Sequence, residues 1–77
     1  MLTLDKVPCG QTATIIELRS EGAVRRRLLD LGLTPRTAVM VRKTAPMGDP
    51  IEISLRGYEL TIRLDDARKI VVTEVDK

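Results

Sequence analysis

The sequence predicts a mainly β protein: a small, partly open barrel of about five short antiparallel strands, with one short α-helix after the first long strand. Three observations carry this expectation. Residues 51–64, IEISLRGYELTIRL, alternate apolar and polar with a period of two, as half-buried paired strands do. The 43% apolar share comes largely from Val, Ile and Leu, with no Phe or Trp and one Tyr, and β-branched residues suit a pleated surface. Only residues 21–31 show a helical period. Seventy-seven residues make one domain, 1–77, and a chain this short buries roughly 60% of its unfolded surface around a single core.

Taken in order, TLDKVPCGQ is a turn-like start in which Leu4 and Val7, three apart, share a side before Pro8 and Gly10 break the chain. TATIIEL, residues 12–18, reads as a strand. Its adjacent Ile15 and Ile16 make it apolar on both faces, as expected where a barrel closes or a helix covers the outside. Ser20 is the expected N-cap of a helix over residues 21–31. Gly32 is the expected left-handed residue past its end, with Leu33 folding back on Leu28 and Pro35 forbidding continuation. Val24, Leu28 and Leu31 fall in one stripe that should face the core. Arg26 and Asp30 lie opposite, four apart, suited to a weak ion pair. Arg25 and Arg27 flank the stripe, where their stems can cover apolar surface. Leu29 sits off the stripe beside Arg25, either as a second core contact or as an exposed apolar spot.

After Pro35 the period changes to two, and Val39 and Val41 alternate with Met40 and Arg42 in a strand. TAPMGDP is turn-rich. With Arg56-Gly57 as a two-residue hairpin loop, Leu55 faces Tyr58, Ile53 faces Leu60 and Ile51 faces Ile62. A slip of one residue would expose the whole apolar set, so the register is tightly specified. LDDARK reads as a short polar turn and KIVVTEV, residues 69–75, as a closing strand apolar on both faces.

Charge and composition exclude several functions. Thirteen Lys and Arg against eleven Asp and Glu leave a net charge of only +2, with acids interleaved among bases throughout. The three arginines at 25–27 do not share a helix face, so they form no phosphate-tracking row. With no His and one Cys, Cys9, there is neither a base for a nucleophile nor a closed zinc site. Asp65 and Asp66 diverge on an extended segment, and Asp49 with Glu52 would hold a hard cation only weakly. No catalytic residue, cofactor or metal site is expected. Cys9 reads as a buried or half-buried thiol of a reducing compartment. No apolar run reaches the roughly 20 residues of a membrane span, and MLTLDKVPCG lacks the apolar core of a signal peptide, so a soluble protein is expected.

The run from RRRLLDLGLTP through APMGDPIEISLRGYELTIRLDDARKIVV, with GQTATIIEL upstream, resembles the FeoA family, ferrous iron transport protein A. The resemblance covers nearly the whole chain and implies an SH3-like β-barrel in the cytoplasm, without catalytic machinery. The family works beside FeoB, a membrane transporter of Fe²⁺ with a cytosolic G-protein domain, in iron homeostasis. One departure stands out: the family usually has Gly after its LGLTP-like corner, where this chain has Arg36, which must either bear strain or turn a different corner. Met47, where the family often has Leu, conserves volume.

The expected function is therefore a protein-interaction module that binds and modulates a FeoB-type transporter through its cytosolic part, without entering the membrane. Its candidate contacts are Leu29, Leu33, Met47 and Tyr58, left partly exposed in a groove between helix and barrel, with Arg25 and Arg27 on the rim. The alternatives are a small nucleic-acid-binding barrel, disfavoured by near-neutral charge and a single aromatic, and a weak homo-oligomer joined through edge strands or Leu29.

Overall fold

The computed structural model describes residues 2–73. In chain order these form β1 (Leu2–Thr3), a 3-10 turn (Leu4–Lys6), β2 (Thr12–Leu18), α1 (Gly22–Asp30), β3 (Ala38–Thr44), β4 (Ile51–Leu55), β5 (Tyr58–Ile62), α2 (Leu64–Ala67) and β6 (Ile70–Val72). The strands pair antiparallel in the order β1-β6-β2-β3-β4-β5, an open sheet wrapped around one core. The expected mainly β architecture and the strand over residues 12–18 are both present. A sixth strand was not expected: the two-residue β1 pairs Leu2 with Val72 and Thr3 with Val71. That pairing places β6 between two neighbours, which is why Ile70, Val71 and Val72 are all buried. Glu74 and Val75, expected to continue this strand, lie outside the described residues.

The hairpin forms in the expected register, with Leu55, Ile53 and Ile51 opposite Tyr58, Leu60 and Ile62. Its loop takes positive φ at both Arg56 (50°) and Gly57 (86°), the geometry that matches the twist of the flanking strands. Leu4 and Val7 are buried together at the start, as their spacing predicts. Ile15 and Ile16 part company at a bulge in the β2–β6 pairing, which sends Ile15 into the core and leaves Ile16 exposed. LDDARK closes into the single turn of α2 rather than a plain turn, and Asp49 Oδ1 accepts a 3.0 Å bond from the Leu64 amide at its start.

Helix α1 ends as expected. Gly32 takes φ 98°, its amide bonds to the Leu29 carbonyl, and the Leu33 amide bonds to the Leu28 carbonyl, both at 3.0 Å. Its start differs. Glu21 occupies the N-cap position without a side-chain bond, while Ser20 turns inward, buried, with no partner for its hydroxyl among the described residues. The expected stripe is also rotated: Leu28 is fully buried, but Val24 (41%) and Leu31 (37%) are exposed. The helix touches the core along a line through Leu28 and the half-buried Leu29, too narrow to cover a three-residue stripe. Two further expectations fail. Cys9 is exposed, its Sγ 3.5 Å from the Thr44 hydroxyl. Arg27, not Arg26, finds an acid, and that acid is Asp66 rather than Asp30.

Candidate protein-docking cleft

The narrow seating of α1 creates the site. The helix lies beside β5 and is held by few ties: the buried Leu28, an Arg27–Asp66 ion pair at 3.1 Å, and a hydrogen bond donated by the Tyr58 hydroxyl to the Leu31 carbonyl. Between these ties runs a cleft of about 190 Å³. Arg27, Leu28 and Leu31 line its helix side and Thr61, Ile62 and Arg63 its strand side. Leu28 and Ile62 lie buried beneath it, Leu31 is its exposed apolar wall, and Arg27, paired with Asp66, and Arg63 stand at its rim. A second hollow, of about 280 Å³, lies by Gly22, Arg25, Arg26 and Leu29.

The six residues expected at a docking surface are spread over four places. Arg27 and Tyr58 belong to the α1–β5 cleft or its edge, and Arg25 and Leu29 border the second hollow. Met47, 90% exposed, stands apart at the tip of the Ala45–Gly48 turn. Leu33 is fully buried and presents no surface, because the helix-ending turn drives it inward. Leu31, Thr61 and Arg63 were not expected in the cleft. Leu31 carries the signature of a core residue, and the strand residues read only as the polar side of a hairpin.

Among the described residues, three of the seven arginines outside the cleft meet acids. Arg42 meets Glu59 at 3.2 Å, Arg68 meets Asp65 at 3.1 Å, and Arg19 lies 3.9 Å from Glu17. Among the described residues, no group of three or more Cys, Asp or Glu side chains is placed to hold a metal ion. Asp49 is committed to the start of α2 and Glu52 lies within 4.0 Å of Arg42 and Lys43. No helix of the described chain is long and apolar enough to cross a membrane.

The departure at residue 36 resolves on the side of strain: Arg36 keeps the corner with φ 75°, its amide bonding the Ile15 carbonyl at 2.7 Å.

An open antiparallel barrel with a loosely seated helical arm defines a small SH3-like module with a cleft between α1 and β5. The chain belongs to the FeoA family: the FeoA domain model matches residues 2–74. It is 41% identical to the FeoA protein of Chlorobium tepidum, whose solution structure superposes with a TM-score of 0.87 over 92% of this chain and 68% of that one. It is 30% identical over 71 residues to a Fe(2+) transport protein A/Fe(2+) transporter FeoB fusion protein of Porphyromonas gingivalis. That match covers 92% of this chain, and this chain spans 8% of the fusion protein's length. The zinc-complexed FeoA of Stenotrophomonas maltophilia, described as a procaryotic SH3 domain protein, shares the fold at 23% identity, with a TM-score of 0.83 over 95% of this chain and 91% of that one.

Proposed function

We propose that this protein is a cytoplasmic accessory of ferrous iron uptake that docks on the cytosolic part of a FeoB-type transporter through the α1–β5 cleft and modulates it without chemistry of its own. The observation that carries this reading is the apolar surface left open at the cleft, where Leu31 stays exposed over the buried Leu28 and Ile62, with Arg27 and Arg63 at the rim. The Porphyromonas gingivalis relative supports the choice of partner, because there a segment like this one is joined in one chain to a FeoB transporter. The acid partners of Arg19, Arg27, Arg42 and Arg68 weigh against a nucleic-acid partner.

An amide chemical-shift titration tests this. With the G-protein domain of FeoB, shifts should gather at residues 27–31, 58 and 61–63. With a mixed oligonucleotide, none should persist at moderate salt. Shifts confined to the arginines, seen with the oligonucleotide and lost in salt, would instead establish the nucleic-acid reading.

A further inference from the structure

Among the described residues, strand β5 ends the sheet, pairing with β4 and with no strand beyond it. In a hairpin with a two-residue loop, the residues flanking the loop exchange both backbone hydrogen bonds, and pairs two residues further along do the same. Tyr58, Leu60 and Ile62 therefore spend their amides and carbonyls on β4. Those of Glu59 and Thr61 point the other way, to the free edge, and no bond to either amide is found among the described residues. Nature usually blunts such an edge. Here it opens into the cleft beside α1, where Thr61 sits across from Leu28 and Leu31.

We propose that the edge of β5 accepts an extended peptide segment as a seventh strand, laid in the cleft between β5 and α1. The segment the cleft fits is one of alternating apolar and acidic residues. An added strand directs every second side chain to the inner face, where the exposed Leu31 supplies an apolar wall over the buried Leu28 and Ile62. Side chains between them fall on the outer face beside Arg63, which is exposed and has no acidic partner among the described residues. Glu59 on that face is already engaged by Arg42, so an incoming acid meets a free cation and not a free carboxylate. This deepens the docking reading above and rests on it for the source of the segment, a stretch of the partner, but the mode of recognition is separately testable.

The test uses the whole chain and a short acetylated peptide alternating valine and glutamate. Binding should slow hydrogen exchange at the Glu59 and Thr61 amides. Thr61→Pro removes one edge-facing amide while sparing the β4 pairing, since a proline is tolerated where the strand's N–H faces outward. It should weaken binding by about tenfold, the worth of one or two lost backbone bonds plus the obstructing ring. A peptide with methylated backbone nitrogens tests the same point on the unaltered protein and should weaken similarly, as should lysine in place of glutamate.

Edge pairing is overturned if the peptide does not bind, if Thr61→Pro and the methylated peptide bind as well as their parents, or if Glu59 and Thr61 gain protection with protein concentration alone, which would make a second copy the occupant. The FeoB G-protein domain separates the two readings. Domain binding unaffected by Thr61→Pro overturns edge pairing and leaves docking intact. Peptide protection at Glu59 and Thr61 without domain binding supports edge pairing and removes the transporter as its source.

Discussion

Strand β4 and helix α1 solve opposite problems with similar material. In β4, Ile51, Ile53 and Leu55 are all buried, alternating with Glu52 and Ser54 on the other face. In α1, nine residues contribute one buried side chain, Leu28. A strand held between two neighbours has its burial dictated by the pleat, so pattern and packing coincide. A helix resting on a barrel along one narrow line is positioned by a few ties, and its remaining surface is left over. Stability is concentrated in the first region and available surface in the second, and the cleft forms where they meet.

Core truncation should break this contrast most visibly if it is wrong. Ile53 is fully buried in β4, and Ile53→Ala should cost about 2–5 kcal/mol in urea unfolding. Leu28→Ala removes the principal anchor of α1. It should cost toward the lower end of the same range, about 2 kcal/mol, with α1 amides losing exchange protection before those of β2 and β4. Val24→Ala, on the exposed face, should stay within about 0.5 kcal/mol. Simultaneous loss of helix and strand protection in Leu28→Ala would show that the helix belongs to the barrel's cooperative unit after all.

The same contrast explains what could be read in advance. The strand over residues 12–18, the hairpin register and the Gly32 helix stop were legible because each rests on local chemistry: alternation, a two-residue loop, a left-handed glycine. Ser20, Val24 and Leu31 were misjudged because the rotation of α1 against the barrel is set by non-local packing, which periodicity within the helix does not record. Leu33 and Leu31 exchanged roles for that reason: the turn at Gly32 folds the first inward and leaves the second at the cleft. Strand β1 escaped notice because two residues carry no period, and its existence depends on β6 arriving beside it.

Gly32 joins the two regions and should show an intermediate effect. A Cβ built there would lie 2.6 Å from the Tyr58 hydroxyl oxygen, and φ 98° is unfavourable for any side chain. Gly32→Ala should cost about 1–2 kcal/mol for the backbone conformation alone. Displacement of Tyr58 from the Leu31 carbonyl adds to that. In a Tyr58→Phe background the second part should vanish and the first remain. An equal cost in both backgrounds would mean that the tyrosine does not tie the end of α1 to β5.

The smallest effect separates two arginines that share a backbone strain but not a set of contacts. Arg36 holds φ 75° at the corner after α1, and Arg56 holds φ 50° in the hairpin. Holding a non-glycine residue in this region costs about 1–2 kcal/mol, whereas glycine there loses up to about 1 kcal/mol to its extra freedom in the unfolded chain. Arg36 is exposed and has no side-chain bond or ion pair among the described residues, so Arg36→Gly should raise stability by up to about 1 kcal/mol. Arg56 offers the same backbone relief, but its guanidinium donates to the hydroxyls of Thr34 at 3.4 Å and Thr37 at 3.2 Å, which are themselves 2.9 Å apart. Removing it strips one partner from the buried Thr37, so Arg56→Gly should be neutral or destabilising. Equal gains at both positions in urea unfolding would mean that the Thr34–Thr37–Arg56 contacts add nothing, and that hairpin and helix corner are pinned by backbone geometry alone.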